Sequence, residues 1–465
     1  MSQTTSTNIG YIAFITLSAA IGGFLFGFDS SVINGANIAL KTHFNISDYM
    51  LGGLVSLTLI GAAAGAYFAG RIADRFGRIP CMMAAALLFI VSAIGSGAPF
   101  GIYDFIAWRL VGGIGMGIAS ITTPIYIAET APAHMRGRLG SMQQLAIVTG
   151  IFFALLSNYI IVTIAGSANN IIFSGFYAWQ VMFWMEAIPA TIYGIVLLRL
   201  PESPRHLVRL GRFHEASAIL QKIDPNSVYD EIENIHVTYR NESSTTLSDL
   251  FVFHNGRYRL APIVWAGIGL AIFQQCVGIN VIFYYSTLLW QSVGFGENNS
   301  FLFSFISSSI NLIMTFIAIF LIDRIGRKPL LLIGSVGMSI TLLIIGICFI
   351  NGIDNGVHCS NLNGPIALVA ANLYVAFFAA TWGPVMWVML GEMFNNRIRA
   401  IAIAVCGLAQ WLTNFLVTWS FPVLTGEHGI GAGKTYLLYA FFAIASIFFV
   451  AIFIKETKGK SLEQM

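Results

Sequence analysis

The sequence predicts an all-α membrane protein: twelve transmembrane helices in two pseudo-symmetric six-helix halves, with a short intracellular helical segment between them. Three observations predict it. Only 10% of the 465 residues are charged and 57% are hydrophobic, where a soluble domain carries about 25% charge. The charges cluster, leaving charge-free windows such as Tyr49–Gly70, Leu260–Gly296 and Thr435–Ile454. Acid–base landmarks also recur at an offset near 250–263 residues. This composition excludes a soluble enzyme, a disordered chain, and a collagen-like or disulfide-rich secreted protein.

A helix needs about 20 mainly apolar residues to cross the hydrocarbon core. Twelve windows qualify, over 9–33, 50–70, 80–99, 103–128, 139–163, 177–199, 260–291, 300–322, 329–351, 365–391, 400–423 and 435–454. They are apolar all round, whereas a barrel strand would alternate over about 10 residues, so they read as helices. The first span is too long for a cleaved signal peptide, and no Lys or Arg precedes it. The spans group as an N-terminal half (1–200), a linker (201–259), a C-terminal half (260–454) and a tail (455–465). Within the linker, Leu207, Leu210, Phe213, Ala216 and Leu220 recur at three- and four-residue steps, which predicts a short amphipathic helix. Ile232, Ile235 and Tyr239 mark another. Cysteines 81, 276, 348, 359 and 406 show neither metal-ligand spacing nor a disulfide framework. No cofactor is expected.

Basic residues set the orientation. With the N-terminus inside, 21 of the 24 Lys and Arg fall in cytoplasmic loops, cytoplasmic helix ends or the tail. The outer loops hold only Lys41 and Lys434, and Arg109 lies within a span. That asymmetry places both termini in the cytoplasm, with the protein in the plasma (inner) membrane. The net charge of +3 averages over it and gives no reason to expect nucleic acid.

The halves repeat one another. Ala73-Asp74-Arg75-Phe76-Gly77-Arg78 follows span 2, and Ile322-Asp323-Arg324-Ile325-Gly326-Arg327 follows span 8. Glu129 and Arg136 bracket the loop after span 4 as Glu392 and Arg399 bracket the loop after span 10, seven residues apart in both. Pro201-Glu202-Ser203-Pro204-Arg205 closes the first half and Lys455-Glu456-Thr457-Lys458-Gly459 the second. Parallel six-helix repeats are one way to build a secondary transporter. The acidic and basic residues of these loops are read as a latch, pairing between the halves when the inner side is closed.

These residues resemble the sugar porter family of the major facilitator superfamily, over essentially the whole chain. The resemblance rests on Arg75–Arg78, Pro201–Arg205, Gln274-Gln275-Cys276-Val277-Gly278-Ile279-Asn280 with Tyr284 and Tyr285, Asp323–Lys328, Gly383–Trp387 with Gly391-Glu392, and Glu456–Glu463. Gln410-Trp411 and Trp419–Pro422 resemble bacterial proton–sugar symporters of the xylose type. Three positions depart from the family pattern: Asn395 and Lys455 stand where Pro is usual, and Gln180 where Arg is frequent.

A sugar hydroxyl both donates and accepts, and Asn and Gln offer both functions in one side chain. Sugar C–H faces suit a flat aromatic wall. The candidates are therefore amides in apolar spans near aromatics: Gln144, Gln274, Gln275, Asn280, Asn311, Trp387, Gln410 and Trp411. The resemblance implies that these positions contact the sugar. Gln274 and Asn280 are six apart, on different faces of an intact helix, so a break at Gly278 is expected to bring the amides together. Tyr284 and Tyr285 are read as gate or wall, and Trp382 as wall or packing. Gly113, Gly115 and Gly117 are read as close helix packing. Gly431–Thr435 looks like a P-loop, but His428 stands where its first Gly is required.

Three charges sit well inside apolar spans: Asp29, Arg109 and Glu186. Each costs several kcal/mol there unless paired or hydrated, which makes each a functional candidate. Beside Arg109 a carboxylate keeps its charge, and alone in a dry site it takes a proton. The resemblance implies proton coupling at Asp29 and Arg109, with Glu186 a further acidic position of the xylose type. The expected function is proton-coupled symport of a monosaccharide, hexose or pentose, by alternating access, the proton being the coupling ion. The alternatives are a sugar uniporter, a myo-inositol or polyol symporter, and a transporter-like sugar sensor. The expected partners are the sugar and the lipid bilayer, with the chain acting as a monomer.

Overall fold

The computed structural model describes residues 8–132, 135–225, 228–241, 247–254, 257–351, 363–394, 398–426 and 428–458. The first span is α1 (Ile9–Val32), extended by a 3-10 turn (Ile33–Gly35) and the short α2 (Asn37–His43). Next come α3 (Asp48–Phe76), α4 (Arg78–Gly97), α5 (Ile102–Thr130) and α6 (Arg136–Ala165). A hairpin of β1 (Ile171–Phe173) and β2 (Phe176–Tyr177) precedes α7 (Ala178–Trp184) and α8 (Ala187–Leu197), which together make the sixth span. Gln180 accepts the backbone N–H of Tyr177 at 2.9 Å and fastens the hairpin to α7.

The linker contains α9 (Pro204–Arg209), α10 (Phe213–Ile223) and α11 (Val228–Asn241). Leu207, Val208, Ala216 and Ile235 form a small shared core there, with Ile232 packed against it. The single amphipathic helix expected through Leu207 and Leu220 is instead two, α9 and α10, because the chain turns at Gly211 with φ +75°. Leu207, Ala216 and Leu220 are buried, whereas Leu210 and Phe213 are exposed. A second hairpin, β3 (Phe251–His254) and β4 (Arg257–Leu260), leads into the seventh span.

That span is α12 (Pro262–Cys276) and α13 (Ile279–Ser292), broken at Gly278. Gly278 has φ +82°, a left-handed conformation that residues with a Cβ rarely adopt. Then follow α14 (Glu297–Ile325), α15 (Arg327–Phe349), α16 (Asn363–Ala380) with α17 (Trp382–Met393) broken at Thr381, α18 (Arg399–Thr425) and α19 (Ala432–Phe453). Among the described residues, twelve helices are long and apolar enough to cross a membrane.

The chain forms two compact units. One contains Met1–Ser30, Gly61–Gly150 and Phe183–Ser244, and the other Ser31–Ile60, Ile151–Met182 and Thr245–Met465. In the first, α4 packs on α5 and α8. Small residues let α3 and α5 come together: a Cβ on Gly117 would lie 2.0 Å from the Ala62 carbonyl. The glycines of α5 are thus packing positions. In the second, α15 packs on α16 and α19, and α12 on α18.

Candidate functional site

The second unit gathers four of the predicted amides. Breaking the span at Gly278 lets Asn280 at the start of α13 turn back over α12, and its Nδ2 donates to Gln275 Oε1 at 2.7 Å. Gln275 Nε2 donates to Gln274 Oε1 at 3.2 Å, and Gln410 Nε2 from α18 donates to the same oxygen at 2.8 Å. Gln274 Nε2 donates to the carbonyls of Trp382 and Gly383 at 3.3 and 3.5 Å. Trp382 and Gly383 open α17, directly after the break of the tenth span at Thr381. Two helix breaks and one amide chain therefore form a single joint.

The remaining candidates are spread over both units. Trp387 on α17 is 40% exposed. Asn311 is buried on α14, Trp411 follows Gln410 on α18, and Gln144 stands half-buried on α6 in the first unit. Trp382 is packing: it is fully buried, and its indole N–H reaches the Leu331 carbonyl and Ser335 Oγ, both at 3.0 Å.

At the end of the second unit opposite the basic loops, sequence reasoning missed two amides. Asn34 and Asn37 are fully buried beyond the end of α1. Asn34 Nδ2 donates to Ser286 Oγ at 2.8 Å, and Asn34 Oδ1 accepts from the Thr287 N–H at 3.0 Å and its Oγ1 at 2.8 Å. Asn37 Nδ2 donates to the Tyr284 carbonyl. Tyr285 OH donates to the Thr418 carbonyl at 3.0 Å, tying α13 to α18. Tyr284 and Tyr285 thus sit in the clamped segment. The signal that could have found the amides was two Asn immediately after an apolar run, within Ile33-Asn34-Gly35-Ala36-Asn37.

The first unit holds the buried charges. Arg109 on α5 pairs with Asp29 on α1 through Nη1, and its Nη2 donates to the Asp29 carbonyl at 3.1 Å. Asp29 and Glu186 are fully buried and Arg109 is 1% exposed. Glu186 sits in the break between α7 and α8, beside this pair. Neither Glu186 oxygen, nor Asp29 Oδ2, closes a hydrogen bond among the described residues.

The repeated loops pair in a way the latch expectation did not contain. Arg78 forks onto Glu129, Nε and Nη2 each at 2.9 Å, and also reaches Asp74 at 3.1 Å. Arg327 forks onto Glu392 at 3.0 and 2.8 Å. Glu202 accepts the N–H groups of Arg78 and Ile79, and Glu456 those of Arg327 and Lys328. These pairs run within a half, not between the halves as the latch reading expected. The reason is that each Arg is the first residue of its helix, so its guanidinium is held beside its own neighbouring loops. Arg75 lies over the Phe76 ring, Arg205 is half-buried, Arg324 is exposed, and Arg399 donates to the Phe394 carbonyl. The side chains of Arg136 and Asp323, and residues Cys359 and Asn395, lie outside the described residues.

The comparisons with known proteins bear on this arrangement. The family model for "Sugar (and other) transporter" matches residues 15–465. A glucose transport protein of Synechocystis sp. is 52% identical over 467 residues, covering 100% of this chain and 98% of that one. The D-xylose-proton symporter of Escherichia coli K12 is 36% identical, covering 99% and 96%. A solved structure of the E. coli xylose transporter in an inward-open conformation matches with a TM-score of 0.82 at 35% identity, covering 98% of this chain and 99% of that one. A twelve-span bundle with paired loop motifs, matched end to end by such relatives, is a multi-pass membrane transporter and not an enzyme, and the chain belongs to the sugar porter family of the major facilitator superfamily.

Proposed function

We propose that this protein carries a monosaccharide into the cell together with a proton, by alternating access. The observation that carries the reading is the fully buried Asp29–Arg109 pair with Glu186 beside it. A static ion pair needs two charges; this site holds a third, acidic one, with carboxylate oxygens that close no hydrogen bond among the described residues. The third charge gives a coupling ion a place to bind, and a conformational change that alters its access to water takes the ion up and releases it.

The sugar reading rests on the amide chain, supported by the uncharged character of the groups around Gln274. In the unit that holds it, the amides offer donors and acceptors and Trp387 is a partly exposed indole. Glucose is the first sugar to test, because the 52% identical relative is named a glucose transport protein. The basic residues support a placement of both termini in the cytoplasm, in the plasma membrane, with the proton as coupling ion. One proton moving down about 100 mV supplies roughly 2.3 kcal/mol, on the order of 40-fold accumulation.

The test is uptake into proteoliposomes under an imposed pH gradient. The wild-type carrier accumulates labelled sugar above equilibrium and Asp29→Asn only equilibrates it. Intact uphill accumulation by Asp29→Asn would sink the proton assignment.

A further inference from the structure

Seven residues before Asp29 on α1, about 10 Å toward the basic-loop end, lies a second buried polar cluster. Gly22 and Gly23 are adjacent there. A Cβ on Gly22 would lie 2.6 Å from Thr123 Oγ1 and 2.7 Å from the Tyr193 OH. A Cβ on Gly23 would lie 2.8 Å from Gln143 Oε1 and 2.9 Å from its Nε2. Helices α5, α6 and α8 thus each press a polar group against the side-chain-free stretch of α1. Thr123 and Tyr193 are fully buried and Gln143 is 8% exposed. The Thr123 and Tyr193 hydroxyls face one another, yet none of these four polar atoms closes a well-formed hydrogen bond among the described residues.

Natural interiors rarely leave buried polar groups without partners, and those that remain call for an explanation. Packing alone does not supply one, since Val, Phe and Leu would fill the same volumes without the polar atoms. Protein groups alone do not saturate the cluster, so it suits a transient polar guest. Three polar sites follow one another along the first unit: Asp29 and Glu186, then this cluster, then Tyr126 on α5, whose OH donates to the Pro201 carbonyl at 2.6 Å. Tyr126 is three residues beyond Thr123, on the same face of α5.

We propose that Thr123, Tyr193 and Gln143 form the polar relay through which the coupling proton leaves Asp29 and Glu186 for the cytoplasmic side. The proposal rests on the symport reading above. In the step, a carboxylic acid gives its proton to a water and becomes a carboxylate. That hydronium protonates a hydroxyl lone pair of Tyr193 or Thr123, and the hydroxyl releases its own proton on the other side. Each hydroxyl ends as it began, no electron is transferred and no bond to carbon changes. Gln143 exchanges no proton; its amide donates and accepts to orient the chain.

The test uses the full-length carrier in proteoliposomes with an internal pH dye. Sugar-driven proton entry and sugar counterflow at equal pH are read side by side. Tyr193→Phe with Thr123→Val is expected to slow proton entry about tenfold while counterflow falls by less than about threefold. Thr123→Ser with Tyr193 retained, which keeps both hydroxyls, is expected to preserve most of the rate. Equal losses in both measurements, or undiminished proton entry, overturn the relay. Should the double variant fail to fold, Tyr193→Phe alone decides on the same ratio. A wild-type carrier that shows counterflow but no sugar-driven proton entry overturns the symport reading, and the relay with it.

Discussion

Glu456 caps the helix that begins at Arg327, accepting the backbone N–H groups of Arg327 and Lys328 on its two oxygens at 3.0 Å each. Glu202 treats the helix that begins at Arg78 in the same way, at 2.9 and 3.2 Å. Each of those arginines then forks onto a further carboxylate, Glu392 or Glu129. The sequence repeat is therefore the repeat of one mechanical joint. In it, a carboxylate from the end of a half fixes a helix start, and the first residue of that helix fixes the end of another span.

The cap makes stability depend on pH. Burial alone would raise the Glu456 carboxyl, but N–H groups of Lys458, Arg327, Lys328 and Thr457 outweigh it and hold the group below its ordinary value of 4.5. A lowered acid contributes stability that is complete above about 4.5 and is lost as pH falls through the lower folded value. Glu456→Gln is expected to lower the melting temperature at pH 7 through loss of about 1 kcal/mol of capping. The difference from wild type should shrink as the pH falls toward about 3.5. A constant difference across that range would show that the charge is irrelevant to the cap.

His206 gives a second pH dependence in the first joint. It is 2% exposed, and its Nδ1 lies 3.4 Å from Arg78 Nη1. Burial lowers its affinity for a proton and outweighs the rest: Glu202 and Glu129 pull it up, Arg78 and Arg209 push it down, and the result is below 6.5. The native form then binds fewer protons than the unfolded chain, so stability is complete above about 6.5 and falls as pH drops through the folded value. His206→Phe should flatten melting temperature against pH between about 6.5 and 5. An unchanged slope would place the pH dependence elsewhere.

Much of the fold was legible because the bilayer imposes one length and one polarity on every span. The windows 329–351 and 435–454 nearly coincide with α15 and α19. The break at Gly278 was legible too, since Gln274 and Asn280 could meet only through one. The break at Glu186 was not, because Trp184-Met185-Glu186-Ala187 contains neither Gly nor Pro. Asn34 and Asn37 escaped for a different reason: their partners, Tyr284, Ser286 and Thr287, are about 250 residues away, and no local pattern announces so distant a contact. The direction of the ion pairs was hidden likewise, because charge identity names possible partners and only geometry chooses among them.

In the proposed orientation, with both termini cytoplasmic, the Asn34 clamp should act on the rate of opening at the outer end. Asn34→Ala removes the amide contacts to Ser286 Oγ, the Thr287 N–H and Thr287 Oγ1. Buried hydrogen bonds of this kind are worth about 0.5–1.5 kcal/mol each. The variant is therefore expected to expose the α13 segment from outside more often, by about tenfold or more. Labelling of Ser304→Cys by a membrane-impermeant thiol reagent reads this directly, since Ser304 Oγ lies 2.6 Å from Ser286 Oγ. Equal labelling rates with and without the Asn34→Ala substitution would show that the clamp does not limit opening.

Gln274 differs from the other amides of the chain in the number of its contacts, two at each end. Its Nε2 serves the carbonyls of Trp382 and Gly383, and its Oε1 receives both Gln275 and Gln410. Removing it frees two donors and two acceptors at once, whereas removing Gln410 frees only one acceptor. Gln274→Leu keeps the bulk and deletes every polar contact, so its effect measures the joint and not a cavity. With each net hydrogen bond worth about 1 kcal/mol, sugar affinity is expected to fall about tenfold to a hundredfold, more than for Gln410→Leu. Trp387 is half-open on α17, and quenching of tryptophan fluorescence by added glucose supplies the binding readout. If Gln274→Leu and Gln410→Leu weaken binding equally, Gln274 is one sugar contact among several. If Gln274→Leu is the weaker binder by the predicted margin, the amide chain holds the sugar site in shape from its centre.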